Sequence, residues 1–390
     1  MKELNRRDAL KAVAAIGAFA SGGCMDTVKA ESNPGPPSEP STPLPLQTKE
    51  AFVNPVQKVE ALPPQGPWPT RDPFLFCVHH NDHYPAGNGS GGPKASLGGR
   101  NIGSDFSHKD NWSMYHGQKI AGFPRHPHRG FETITVVKRG LIDHSDSLGA
   151  AARYGDGDVQ WLTAGDGINH AEMFPLLKAD GPNPTDFYQI WINLPAAKKR
   201  VPPYFSMFWD LRIPKESHGD VTGKKTEVTV IAGPLGEAKP LAPPPDSWAS
   251  QAENHVAVWT FEMEPGAQWT LPAGEPGLNR TLYLVKGTGA TVGGTICGER
   301  TLVELQSDLS ATIVNGESPG EFLVLQGKAI NEPIARRGPF VMNSWDEIRE
   351  AYSDYQRTQF GGWPWKSVEP VHGMDPGRFA RRGQDTEVPT

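Results

Sequence analysis

The chain has 390 residues, and its 43 glycines and 38 prolines make up about a fifth of it, against an ordinary share of roughly 12%; a helical bundle or coiled coil is excluded and short strands joined by turns are favoured. Lys and Arg number 38 against 44 Asp and Glu, a net charge of −6, so the chain lacks the cationic surface that counterion release on nucleic acid requires. Its three cysteines, Cys24, Cys77 and Cys297, form no C-x-x-C pair, which excludes a zinc knuckle and a disulfide framework and leaves Cys77 and Cys297 as expected buried thiols.

At the N-terminus, Asn5-Arg6-Arg7-Asp8-Ala9-Leu10-Lys11 precedes a mild apolar stretch from Ala12 to Ala20, and Val28-Lys29-Ala30 supplies small residues for cleavage. Residues 1–30 therefore resemble a twin-arginine export signal, and a periplasmic or cell-envelope location is expected. Ser21-Gly22-Gly23-Cys24 also fits a lipoprotein cleavage site, with Cys24 as a lipid anchor. Residues 31–71, rich in proline from Pro34 to Pro45, read as a tether with nothing to pack on. No later run reaches the ~18 apolar residues that a transmembrane segment needs.

From Asp72 onward, short apolar runs alternate with Gly, Pro, Asn and Asp: Glu132 to Val137, Asp158 to Leu162, Phe187 to Ile192 and Glu227 to Ile231, then Val256 to Met263, Thr281 to Val285, Leu302 to Leu305 and Glu321 to Leu325. This spacing predicts an all-β chain of antiparallel sandwiches or barrels. Two tandem domains are expected, over 72–200 and 201–335. Over 336–365 the one convincing helix begins at Ser344, its N-cap, with Glu347 completing a capping box. Residues 366–390 read as a tail.

Nine of the twelve histidines lie at or before His170, and the first strand block holds His126-Pro127-His128 and His170-Ala171-Glu172. Alternate strand residues share a face, so each pair points both side chains the same way, and four donors can converge on one ion. A His-x-His pair arises by chance about 0.4 times in such a chain, but one followed by His-x-Glu within some 30–60 residues only about 0.02 times. Three imidazoles and a carboxylate leave two positions of an octahedron open. That suits redox-active iron, manganese, nickel or copper better than structural zinc. Export of an already folded chain would let the metal load inside the cell, where iron and manganese are favoured. Cys77, His79, His80, Asp82 and His83 form a denser cluster, but alternation splits it between two faces; His80 is the member expected nearest the metal. After His170 only His218, His255 and His372 occur, so the second domain is expected to hold no metal.

His126-Pro127-His128-Arg129-Gly130-Phe131-Glu132-Thr133, followed by Gly157-Asp158-Val159-Gln160-Trp161-Leu162-Thr163-Ala164-Gly165-Asp166-Gly167-Ile168-Asn169-His170-Ala171-Glu172-Met173, resembles the pirins, two-domain members of the cupin superfamily. Asp72-Pro73-Phe74-Leu75, Gly338-Pro339-Phe340-Val341-Met342-Asn343 and Asp354-Tyr355-Gln356 extend the resemblance over Asp72 to Gly362. It implies a bicupin, two jelly-roll β-barrels, with one metal, usually Fe(II), held in the first by His126, His128, His170 and Glu172. Zn remains compatible alongside the other metals. Some bacterial pirins are similar to quercetin 2,3-dioxygenases, which open a flavonol ring with O2 and release carbon monoxide; eukaryotic relatives look like redox-dependent transcriptional cofactors, a nuclear role that an exported chain cannot share. Glu132, four residues past His128, is expected on the same face, either supporting a ligand or acting as a base. The loop from His83 to about Trp112, with Gly87-Asn88-Gly89-Ser90-Gly91-Gly92, departs from the family and is expected to lid the pocket.

The expectation is thus an exported, monomeric metalloprotein, a dioxygenase acting on a flavonol or other aromatic enediol, with Glu172, or Glu132 if it faces the pocket, accepting the proton. The competing expectation is a non-catalytic metal- or redox-sensing interaction protein of the cell envelope.

Overall fold

The structure is a computed structural model and describes residues 53–389. The Arg6-Arg7 motif, Cys24 and the first part of the expected tether lie outside the described residues. The strands in chain order are β1 (Val56–Ala61), β2 (Phe74–Tyr84), β3 (Gly122–His128), β4 (Phe131–Arg139), β5 (Leu141–Asp146), β6 (Ala151–Gly155), β7 (Val159–Thr163), β8 (Ile168–Met173), β9 (Asn183–Asn193) and β10 (Tyr204–Phe208). There follow β11 (Lys215–Gly219), β12 (Lys225–Ala232), β13 (Ala257–Met263), β14 (Gln268–Leu271), β15 (Asn279–Lys286), β16 (Ala290–Val292), β17 (Thr295–Cys297), β18 (Thr301–Gln306), β19 (Ala311–Val314) and β20 (Gly320–Gly327). The hairpin β21 (Ala335–Arg337) and β22 (Phe340–Met342) leads into helix α1 (Trp345–Thr358), and β23 (Phe379–Arg382) and β24 (Asp385–Glu387) end the chain. Among the described residues no helix is long and apolar enough to cross a membrane.

These strands make two sandwiches, as the all-β, two-domain reading expects. The N-terminal one pairs a five-stranded sheet, β10-β7-β4-β9-β2, with a six-stranded sheet, β24-β23-β6-β5-β8-β3; the C-terminal one pairs β1-β18-β15-β20-β13-β12-β11 with β14-β19-β16-β17. The five- and seven-stranded sheets pack back to back. Ile134, Val136, Trp161 and Ile190 of the first meet Val258, Tyr283, Leu323 and Leu325 of the second in one buried cluster, and each such side chain withdrawn from water contributes roughly 1.5–3 kcal/mol. Trp161 is thus a core residue of the seam. Cys77 and Cys297 are both free and buried.

Three boundaries differ from the sequence reading because strands were shared across the expected borders. Val56–Ala61, within the expected tether, is an edge strand of the C-terminal sandwich, paired with β18. Tyr204–Phe208, assigned to the second domain, pairs with β7 of the first. In the expected tail, Phe379–Arg382 adds to the N-terminal sandwich beside β6. Val56–Ala61 and Phe379–Arg382 carry few large apolar residues, so their pairing rests on backbone hydrogen bonds to an available sheet edge, whereas Tyr204–Phe208 also buries Phe205, Met207 and Phe208. Helix α1 begins as expected: Ser344 accepts from the Glu347 N–H and the Glu347 side chain accepts from the Ser344 N–H. The loop expected as a lid is packed into the domain: Arg100 lies 3.4 Å above the Trp112 ring and 3.0 Å from Asp105.

Candidate metal centre

The His-x-His and His-x-Glu pairs lie on neighbouring antiparallel strands, β3 and β8, with His126 directly opposite His170. Gly130 ends the ligand strand in a turn at φ +85°, where an added Cβ would stand 2.0 Å from the Val341 carbonyl oxygen, so only glycine fits. Buried Lys199 fixes that turn, donating to Gly130 O at 2.8 Å, Asn193 Oδ1 at 2.7 Å and Val341 O at 3.1 Å. The three rings gather with centroids 4.4 to 4.8 Å apart, and one nitrogen of each lies within 4.8 Å of the others.

The polar atoms of this group fit a cation. His126 Nδ1 lies 2.8 Å from the Pro124 carbonyl and must donate to it, which leaves Nε2 as a bare acceptor. That acceptor faces His128 Nε2 at 3.1 Å, while both nitrogens of His170 and Nδ1 of His128 are buried without a partner. An unmet buried polar atom costs about 1–3 kcal/mol, and a metal ion would satisfy the acceptors together. Burial first, and the neighbouring imidazoles next, lower the pKa of His126 to about 4 and hold His128 and His170 well below the ordinary histidine value. All three are therefore neutral near pH 7, the state that ligates a metal.

Glu172 stands at the edge of the group. Its Oε2 is 3.8 Å from His170 Nε2, and the close cluster contains the three histidines without it. Gln189 Nε2 donates to its Oε2 at 3.3 Å, and the Thr135 hydroxyl, 2.7 Å from Gln189 Oε1, lies 3.2 Å from its Oε1. Burial raises the Glu172 pKa, and His144 together with these hydrogen bonds offsets part of that rise. Gln189 and His144 were not foreseen. Gln189 is the one polar residue between Phe187 and Trp191 on the inner face of β9, and His144 sits opposite Glu172 on β5; a lone polar residue in an apolar strand was the available signal for the first.

Glu132 corrects an expectation. Counting four residues from His128 assumed one continuous strand, but the turn at Gly130 intervenes and β4 restarts the alternation at Phe131. Glu132 therefore faces the seam between domains, accepting from Ser247 Oγ at 2.5 Å, Thr163 Oγ1 at 2.6 Å and Trp161 Nε1 at 3.2 Å. It is neither a base nor a ligand support here. Burial raises its pKa to about 7 against the pull of those donors.

The cluster on β2 divides as alternation requires. Cys77 lies in the seam and His79 rests on Asp186 at 2.7 Å; Glu321 completes a second group with these two but is already met by the Tyr188 hydroxyl and Lys138 Nζ, each at 2.6 Å. On the other face, Asp82 accepts from Tyr115 at 2.7 Å. His80 stacks on Phe187 at 4.6 Å, with Tyr115 and Phe123 edge-on. Phe123 in turn lies 6.3 Å from His126, so His80 approaches the centre through one ring rather than touching it. On the opposite side Trp191 lies 5.3 Å from His128, and Phe76 lies 4.7 Å from Trp191.

Residues 93–192 match the Pirin family model and residues 258–361 the Pirin C-terminal cupin domain. The chain is 35% identical over 243 residues to a pirin-like protein of Solanum lycopersicum, a match covering 60% of this chain and 76% of that protein. It is 30% identical to pirin of Homo sapiens over 266 residues, covering 65% of this chain and 83% of that one. Among solved structures, quercetin 2,3-dioxygenase from Acinetobacter baumannii superposes with a TM-score of 0.59 at 29% identity, over 75% of this chain and 87% of that one.

Proposed function

The chain belongs to the pirin family, and on that premise we propose that it is an exported bicupin metalloenzyme, a dioxygenase that opens a flavonol or another aromatic enediol with O2. The observation that carries the reading is the close trio of His126, His128 and His170, in which both nitrogens of His170 and Nδ1 of His128 are buried without a protein partner, beside the aromatic wall of Trp191 and Phe76. Likeness to the Acinetobacter quercetin 2,3-dioxygenase supports the substrate class. The trio would hold one divalent ion, most readily Fe(II). When bound it would supply Lewis acidity toward a hydroxyl and an open position for a second ligand.

The chain's own residues account for the rest. Aromatic rings surround the imidazoles, Trp191 lying 5.3 Å from His128 and Phe123 6.3 Å from His126, and give the centre apolar surroundings suited to an aromatic ligand. Glu172 accepts the substrate hydroxyl's proton at its carboxylate: its raised pKa brings it closer to the operating pH, and Gln189 and Thr135 keep it oriented. Burial pushes both cysteine thiols up, so the alternative of a non-catalytic metal- or redox-sensing interaction protein of the cell envelope would have to act through the same metal centre rather than through a thiol. Metal content of protein purified through its export route, followed by oxygen uptake and carbon monoxide release with quercetin, tests the reading. Close to one metal per chain and uptake with quercetin are expected, both lost in His126→Ala. Full occupancy in that variant would contradict the ligand assignment, and absence of uptake with any flavonol or catechol would contradict the activity.

A further inference from the structure

The aromatic wall beside His128 carries a cation without a carboxylate. Arg336, on β21 opposite Val341, places its guanidinium 4.8 Å from the centre of the Trp191 ring and 5.6 Å from that of Phe76. Trp191 is the ring next to His128, 5.3 Å away. Of its five donors, Arg336 gives Nη1 to the Leu75 carbonyl at 3.2 Å. Other inward arginines of the N-terminal domain are neutralised: Arg100 by Asp105 at 3.0 Å, Arg129 by Asp354 at 2.9 Å and Arg153 by Asp143 at 2.7 Å. Among the described residues no carboxylate does this for Arg336, and burial alone pushes its guanidinium below the ordinary value. Its charge also reaches His128, where it opposes protonation.

A half-buried guanidinium with donors left over can accept a further partner, and its planar fork matches a carboxylate. The stacking on Trp191 and Phe76 fixes the fork in place, so little freedom is lost when an anion arrives. Trp191 is the ring that both this guanidinium and the His128 imidazole approach, at 4.8 and 5.3 Å. A benzene ring with adjacent hydroxyls at one end and a carboxylate at the other carries groups that match an imidazole-held cation and a guanidinium.

We propose that Arg336 is a specificity-determining residue of this centre and selects aromatic diols that carry an anionic group, above all a carboxylate, over neutral ones. The inference rests on the proposed function only in placing an aromatic diol beside the imidazoles. It is tested by calorimetric binding to the full chain loaded with zinc, which binds without redox turnover, using 3,4-dihydroxybenzoate and catechol, two ligands that differ by the carboxylate. The unaltered protein is expected to bind the acid at least tenfold more tightly. Arg336→Gln should erase that preference while catechol affinity and metal content stay unchanged, and Arg336→Lys, which keeps the charge but loses the fork, should retain part of it. Equal affinities in the unaltered protein, or an undiminished preference in Arg336→Gln, would overturn the proposal. Oxygen uptake by the iron-loaded chain, measured in parallel, separates the two readings: a preference that disappears in Arg336→Gln without any uptake would leave the Arg336 assignment standing and remove the dioxygenase.

Discussion

Where the N-terminal barrel gathers His126, His128, His170, Glu172 and Gln189 on its inner faces, the C-terminal barrel stacks Phe261 on Phe322 with centroids 4.7 Å apart and surrounds them with Trp269, Leu282, Leu284 and Val303. The architecture is shared and the filling is opposite. Hydrocarbon in the second barrel meets every neighbour through dispersion and leaves nothing polar to satisfy. The first barrel instead buries imidazole nitrogens with no partner of their own, a cost that a bound cation would remove. The pair shows how one sandwich can serve as a site and its twin as a packing partner, through the choice of side chains on equivalent inner faces.

The largest expected break of this comparison comes from the filled barrel. Phe261→Ala should cost about 3–5 kcal/mol, the range for truncating a buried aromatic, read by denaturant unfolding. Metal bound per folded chain should not change, because the ligands belong to the other sandwich; loss of metal from the folded variant would mean that the two barrels are coupled more tightly than their separate cores suggest.

A second, smaller effect lies at the seam. Glu132 keeps its proton up to about pH 7 in the fold, whereas the unfolded chain releases it near the ordinary glutamate value. The folded state therefore binds more protons between these limits, and stability falls as pH rises through that window by up to about 3 kcal/mol, levelling off above it. Subtracting the pH profile of Glu132→Gln from that of the unaltered protein should show the step. A flat difference from pH 4 to 8 would mean that the carboxyl titrates in the fold where it does in the unfolded chain, with burial offset by Ser247, Thr163 and Trp161.

Least in energy but closest to the centre is Gln189→Leu. It leaves Glu172 without its amide donor, and losing such a support of a metal site typically weakens metal binding 10–100-fold. Titration with a competing chelator measures the shift. An unchanged affinity would place Glu172 outside the energetics of the site and leave the three histidines to act alone.

The sequence was informative wherever a short-range rule sufficed. Short apolar runs bounded by turn residues located β4, β7, β9, β12, β13, β15, β18 and β20, and alternation along a strand put His126 with His128 and His170 with Glu172 on common faces. Local chemistry also read the start of α1, since Ser344 and Glu347 are three residues apart. The errors began where a rule was carried across a turn it could not see. Glu132 was placed by parity through Gly130, and parity restarts there. Val56–Ala61 and Phe379–Arg382 were read as tether and tail because neither has a strong apolar pattern; they are strands only because another part of the chain offers an edge.

What the sequence determined by itself was therefore the class of the fold and the shared faces of the His126–His128 and His170–Glu172 pairs, because both depend on spacing within a strand. Tertiary structure decided the rest. It brought β3 into register with β8, turned Glu132 to the seam, placed His144 opposite Glu172, and set Arg336 over Trp191 from a hairpin more than a hundred residues away in the chain. Such contacts are fixed by which strand edges pair and which sheet faces close against each other. No local pattern of residues encodes that outcome, since it depends on the free energy of the whole assembled core.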